Sequence, residues 1–187
     1  MTVQKQYKVK VCLVGEKAVG KTSLIRRYVL NMFDDRYITT IGTKVSKKEV
    51  SLYHPERDVH VRMDMTIWDI MGEKGFRELL KDAYFYGANG ILAVADLTRS
   101  KTLDELDDWI DGVMRVCGRV PTVIAVNKAD LVNQAVFEEK QVDQFAKAFD
   151  SKYLYTSAKA GQNVEEAFRL LGEAILSEIL AAKAVPP

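Results

Sequence analysis

The sequence predicts an α/β sandwich: a six-stranded, mostly parallel sheet with one antiparallel strand, flanked by five helices. Three observations predict it. Short β-rich runs alternate with segments of helical period along the 187 residues. Two of those runs, GILAVADL (90–97) and PTVIAVNK (121–128), are nearly continuously apolar, as parallel strands covered on both faces should be. One further pair of runs is separated only by HPERD, a turn signal, and so forms a hairpin.

The elements follow in order. KVKVCLVG (8–15) alternates and then turns fully apolar, which predicts a strand entering a buried sheet. KTSLIRRYVLNMF (21–33) predicts a helix, and VSKKEVSLY (45–53) with VHVRMDMTIW (59–68) predicts the hairpin. Between the two apolar strands, Leu103, Leu106, Ile110, Val113 and Cys117 recur at helical spacing. Val142, Phe145 and Phe149 mark another helix, and KYLYTS (152–157) a last strand. Asn163 with Glu166 three residues later predicts a capping box, with Asn in place of Ser or Thr. It opens a final helix with Val164, Phe168, Leu171, Ile175 and Ile179 on one face. One domain is expected over 1–187, with its core at 8–180. In such sheets ligands bind at the carboxyl ends of the strands.

Composition narrows the function classes. Hydrophobic content of 48% and charged content of 28% suit a soluble globular chain. A net charge of +1 offers no basis for bulk attraction to nucleic acid or anionic membrane. No apolar run approaches the ~18 residues of a membrane span, and MTVQKQYKVK is not a signal peptide. Cys12 and Cys117 lie in apolar stretches and are expected as two buried thiols. His54 and His60 flank the hairpin turn, and no metal role is assigned to them.

GEKAVGKT (15–22) fits the pattern G-x-x-x-x-G-K-[ST], between a strand and a helix as the motif requires. The backbone of Gly15, Glu16, Lys17, Ala18, Val19 and Gly20, with the helix start through Ser23, is expected to cradle phosphates. Gly15 and Gly20 permit a backbone approach that a side chain would block. Lys21 would reach the β- and γ-phosphates, and the Thr22 hydroxyl would ligate Mg²⁺. ATPases, kinases and GTPases all use such a loop, so it does not name the nucleotide. NKAD (127–130) does, since Asp130 can accept from both the N1–H and the exocyclic amine of guanine. Adenine lacks that donor pair and would leave the carboxylate unpaired, so an ATPase or small kinase is disfavoured.

With GEKAVGKTS, YITTIG, WDIMGEKGFR, YFYGANGILAVADLT, NKAD and TSAK in order, the chain resembles a Ras-superfamily small GTPase, nearest the Rab-like branch. The resemblance runs from about residue 8 to about residue 180. It implies a P-loop GTPase fold (G domain), a GTP/GDP site, Mg²⁺, and slow hydrolysis of GTP that drives a switch. It further implies Thr40 and Asp69 on Mg²⁺, Asp69 through a water, and the Gly72 N–H on the γ-phosphate. Phe33 would pack against guanine and Tyr37 would close over the phosphates. Asn127 would brace the base loop, and the Lys128 stem would cover the purine. The Ala158 N–H would meet the guanine O6, supported by Ser157 and Lys159. Residues 34–45 and 72–86 would face effectors, an activator and an exchange factor.

Two positions depart from the family pattern. Met71-Gly72-Glu73 stands where A-G-Q is common. The glutamine orients the attacking water, and an ionised glutamate accepts a hydrogen bond there but cannot donate one. Slow timed hydrolysis and a GTP-gated scaffold with negligible hydrolysis both stay open. Lys17 occupies a loop position that is often Gly or Ser. Either it pairs with Glu73 near the γ-phosphate, or both are solvated surface charges. No cysteine follows Cys117 and MTVQ lacks the glycine for myristoylation, so no intrinsic lipid anchor is expected. A cytoplasmic monomer, recruited to membranes by a partner if at all, is the resulting expectation.

Overall fold

A computed structural model describes residues 5–36, 39–73, 75 and 82–183. Tyr37, and residues 74 and 76–81 of the expected effector surface, lie outside the described residues. The strands are β1 (Lys5–Val14), β2 (Thr43–His54), β3 (Val59–Ile70), β4 (Gly90–Asp96), β5 (Thr122–Asn127) and β6 (Lys152–Tyr155). Their spatial order is β2-β3-β1-β4-β5-β6, with β2 antiparallel to β3 and every other pair parallel. The helices are α1 (Lys21–Leu30), α2 (Lys101–Asp104), α3 (Leu106–Cys117), α4 (Glu139–Ala148) and α5 (Val164–Ala182).

Strand alternation produces two apolar layers, because successive side chains point to opposite faces. Val11 and Leu13 of β1, Leu92 and Val94 of β4, and Val123 and Ala125 of β5 pack with α1 and α5. Their neighbours Cys12, Val14, Ile91, Ala93, Ile124 and Val126 pack with α3 and α4 on the other side. The hairpin covers one layer through Val61, Met63, Met65 and Ile67, with Tyr28 stacked on Phe168 at 4.0 Å beneath it. Trp109, wholly buried, anchors the opposite layer. Burying a large apolar side chain of this kind contributes about 1.5–3 kcal/mol.

Several local expectations are corrected. The first helix stops at Leu30 rather than residue 33, because Asn31 turns left-handed (φ 52°) and its N–H bonds back to Arg27 O. The helix expected from Leu103 to Cys117 is two pieces, with Glu105 (φ −91°, ψ −1°) as the last cap of the first and the first cap of the second. Asn163 does not form a capping box. It sits in the left-handed region, and its Nδ2 donates to Tyr155 O at 2.8 Å, so the side chain is spent on the end of β6. A capping box does form at α4, where Glu138 and Gln141 satisfy each other's backbone N–H. Cys12 is buried, but Cys117 is only half-buried at the last turn of α3, with its thiol on Val113 O.

The parallel topology brings the carboxyl ends of β1, β3, β4, β5 and β6 to one edge of the sheet. The loops that leave those ends build the cleft described next.

Candidate functional site

A cleft of about 630 Å³ opens at that edge. It is lined by the loop after β1, residues 33–36, 39–41 and 44, the end of β3, and the loops after β5 and β6. Gly15 leaves β1 with φ 132°, and a Cβ there would lie 2.2 Å from the Val94 carbonyl oxygen. Gly20 has φ 102°, and its Cβ would lie 2.2 Å from Asn127 Nδ2. Both glycines are therefore required sterically, and the bend between them is completed by Ala18 at φ 62°. Val19 is buried in the core and pins the loop from within.

Lys21 is buried and donates to Gly15 O at 2.6 Å and Glu16 O at 2.8 Å. Burial lowers its ammonium pKa to about 8, against smaller opposing effects of Asp69 and Glu16. A buried cation whose bonds all run to neutral carbonyls makes this end of the cleft a strong place for an anion. Ser23 lies beside it on the lining.

Three oxygen donors converge next to Lys21. The Thr22 hydroxyl donates to Asp69 Oδ2 at 2.5 Å and lies 3.0 Å from the Thr40 hydroxyl. Asp69 is buried, and its other oxygen, Oδ1, has no hydrogen-bond partner among the described residues. Burial raises its pKa, against the opposing effects of the Thr22 bond and Lys21. A buried carboxylate with one oxygen unbonded and two hydroxyls gathered at the other suits a hard cation that takes oxygen ligands and keeps waters. Asp69 falls within β3, paired opposite Lys44 of β2, so the hairpin itself fixes its position.

Gly72 sits where a Cβ would lie 2.5 Å from Lys17 N and 2.7 Å from Glu16 O, directly against the phosphate loop. Met71 and the exposed Glu73 follow the same wall of the cleft. Lys17 is exposed on it too, and no ion pair joins Lys17 to Glu73. In this conformation the two behave as solvated charges.

At the far end, Asn127 Nδ2 donates to Val19 O at 2.9 Å, while its Oδ1 accepts from Thr156 Oγ1 and Ala158 N–H, each at 3.3 Å. One buried amide thus ties three loops together. The Ala158 N–H, expected at guanine O6, is turned onto Asn127 here. Ser157 Oγ donates to Asp130 Oδ1 at 2.5 Å and fixes that carboxylate at the rim. Phe33 lines the cleft and packs against the core, and Lys159 reaches Asp35 at 3.4 Å across the mouth.

Some structural members of the site were not singled out from sequence. Arg27 donates to Ala158 O and Lys159 O, both at 2.8 Å, and so orients that loop from behind. Trp109 Nε1 donates to Glu16 Oε1 at 3.4 Å. Asp96, at the end of β4, accepts from Lys128 Nζ at 2.7 Å and from Arg99 Nε at 3.0 Å. A signal for it was present in the sequence, where an Asp closes the apolar run ILAVAD.

Burial opposes the charge on Asp96, but Lys128 and the Thr98 amide and hydroxyl outweigh it and hold the pKa below the ordinary value of 3.8. Its stabilisation is therefore present above that value and lost as pH falls through the lower folded-state value. Asp96→Asn should cost about 2–3 kcal/mol at neutral pH, discounted because both cations are partly solvated. Urea unfolding at stepped pH checks this: the gap between variant and wild type should hold from neutral to mildly acidic pH and close below the carboxylate range.

The fold and cleft define a P-loop protein of the α/β class, with a glycine-bent loop around a buried lysine, an oxygen-rich corner beside it and a far end tied by Asn127. The Ras family model matches residues 10–177, and the chain belongs to the Ras family. It is 30% identical to Ras-related protein Rab-1D of Dictyostelium discoideum, over 95% of this chain and 84% of that one. It is 32% identical to human Ras-related protein Rab-8B, over 92% and 81%. Ras-related protein Rab-21 of Geodia cydonium is 33% identical, over 92% and 73%. The chain is a Rab-like small GTPase, the class of enzyme that binds and hydrolyses GTP as a switch.

Proposed function

We propose that this chain, as one G domain, binds GTP or GDP with Mg²⁺ in the cleft and hydrolyses GTP slowly to GDP and phosphate. The observation that carries the reading is the buried Asp69 carboxylate, one oxygen bonded to the Thr22 hydroxyl beside Thr40 and the other without a partner among the described residues, with the buried Lys21 next to Thr22 in the chain. Thr22 and Thr40 would hold Mg²⁺ directly and Asp69 through a water. When bound, Mg²⁺ neutralises charge developing on the β- and γ-phosphate oxygens. Lys21 and the N–H groups of residues 15–23 hold the phosphates, and the Gly72 N–H senses the γ-phosphate. Asp130 reads the guanine edge, with Asn127, Ser157, Ala158 and Lys159 shaping its loop. Phe33 and the Lys128 stem cover the base.

Thr40 and Gly72 lie on the two segments, 34–45 and 72–86, that would change with the γ-phosphate and meet effectors, an activator and an exchange factor. Glu73 lines the catalytic wall without the donor of an amide, so intrinsic turnover is slow. That residue also favours the second reading, a GTP-gated scaffold with negligible hydrolysis. Single-turnover phosphate release separates them. Release of one phosphate per bound GTP supports the timed switch, and GTP recovered intact supports the scaffold. The protein is read as a cytoplasmic monomer, recruited to a membrane by a partner if at all. No helix among the described residues is long and apolar enough to cross a membrane.

Removal of Mg²⁺ should show the cation corner directly. Chelation leaves the phosphate charge opposed by Lys21 alone and restores repulsion with Asp69. Bound GDP is expected to leave at least ~10-fold faster in excess EDTA, read by the decay of a fluorescent GDP analogue.

A further inference from the structure

Beside the Asn127 amide, a second route joins the phosphate loop to the base loop, through Arg99 and Asp96. Arg99 Nη2 donates to the Lys17 carbonyl at 2.7 Å, in the middle of the phosphate loop. Its Nε binds Asp96 Oδ2 at 3.0 Å, and the same oxygen holds Lys128 Nζ at 2.7 Å. Asp96 is buried and closes β4, so the junction stands on the sheet. The turn that carries Arg99 is itself fixed: its N–H bonds to Asp96 O at 2.9 Å, and its carbonyl accepts from the Thr102 hydroxyl at 2.6 Å. Thr102 Oγ1 also accepts from the Asp96 N–H at 2.9 Å.

We propose that Arg99 is a positioning residue: its planar fork bridges the Lys17 carbonyl and the Asp96–Lys128 pair, holds the phosphate loop in register with the base loop, and so sets how long nucleotide stays bound. The proposal rests on the guanine-nucleotide reading of the cleft. Arg99 is not among the residues that line the cleft. It acts by preorganisation, since a loop already held at Lys17 need not be ordered when phosphate arrives. The fork matters because a guanidinium presents donors in two fixed directions, while an ammonium is a point charge. Arg99→Lys should keep Asp96 paired and lose the Lys17 carbonyl.

The test measures the affinities of GDP and of guanosine for wild type, Arg99→Ala and Arg99→Lys, with thermal melting as the folding control. GDP affinity is expected to fall about tenfold in Arg99→Ala and at least threefold in Arg99→Lys, by loss of a charge-assisted bond. Guanosine, which has no phosphate for the loop to hold, should bind all three within twofold. A parallel loss for GDP and guanosine would mean general loosening and overturns the proposal. So does wild-type GDP affinity in Arg99→Lys, which would mean that charge alone suffices. If Arg99→Ala does not fold, Arg99→Lys carries the comparison. Wild type that binds no GDP overturns the nucleotide reading itself, a failure distinct from that of the bridge.

Discussion

Lys21→Met is expected to abolish nucleotide retention while leaving the fold standing. The ammonium is buried, its pKa is lowered to about 8 by that burial, and its bonds run to two carbonyls of the loop it must serve. Methionine matches its length and removes the charge. For the fold, two effects oppose each other. The Gly15 and Glu16 carbonyls lose a donor, at about 1–3 kcal/mol, and the cost of a buried cation disappears with it. For polyphosphate there is no such offset. The variant loses the charge-assisted bonds that an ammonium makes to phosphate oxygens, about 3 kcal/mol or more, so the Kd for GDP should rise at least ~100-fold. Titration with a fluorescent GDP analogue, beside a thermal melt, reads both quantities. A Kd within tenfold of wild type would remove Lys21 from the phosphate site.

Asp130→Asn should change which base is held rather than whether one is held. Asp130 lies at the rim with one oxygen fixed by Ser157. Guanine presents two donors, N1–H and the exocyclic amine, and an ionised carboxylate accepts both. Asparagine presents one acceptor and one amine, so a donor would face a donor. Sites that discriminate through unpaired polar groups do so by ~10⁴ or more, and a loss of about 10³ in GDP affinity is expected. Xanthine carries a carbonyl where guanine carries its amine, and it matches asparagine instead. Competition by xanthosine diphosphate should therefore improve in the variant as competition by GDP collapses. Equal loss for both would mean that the substitution disrupts the loop rather than its reading of the base.

Much of the fold was legible because its signals are local. Continuous apolarity placed β4 and β5 within a residue of their ends, while alternation placed the start of β1 three residues late. The phosphate loop was legible because strand, glycines, lysine and helix are contiguous. What sequence missed depends on partners far along the chain. Arg27 meets Ala158 and Lys159 across 131 and 132 positions, and Arg99 meets Lys17 across 82. A lone Arg on a helix or in a turn gives no sign of such a partner. The break at Glu105 and the left-handed Asn163 were missed for a related reason: backbone geometry there follows where the chain must go next, against local propensity. Lys17 and Glu73 are exposed and unpaired with each other here, and a pairing that depends on bound GTP is not decided by this conformation.

The account stands on one claim, that this cleft holds a guanine nucleotide through Mg²⁺. The most direct measurement is competition against a bound fluorescent GDP analogue by GDP, GTP, ADP and ATP, with Mg²⁺ and with EDTA. The account predicts displacement by GDP and GTP at stoichiometric levels, little displacement by ADP or ATP even at ~10³-fold excess, and weakened retention in EDTA. Equal displacement by ATP, or retention indifferent to Mg²⁺, would contradict it.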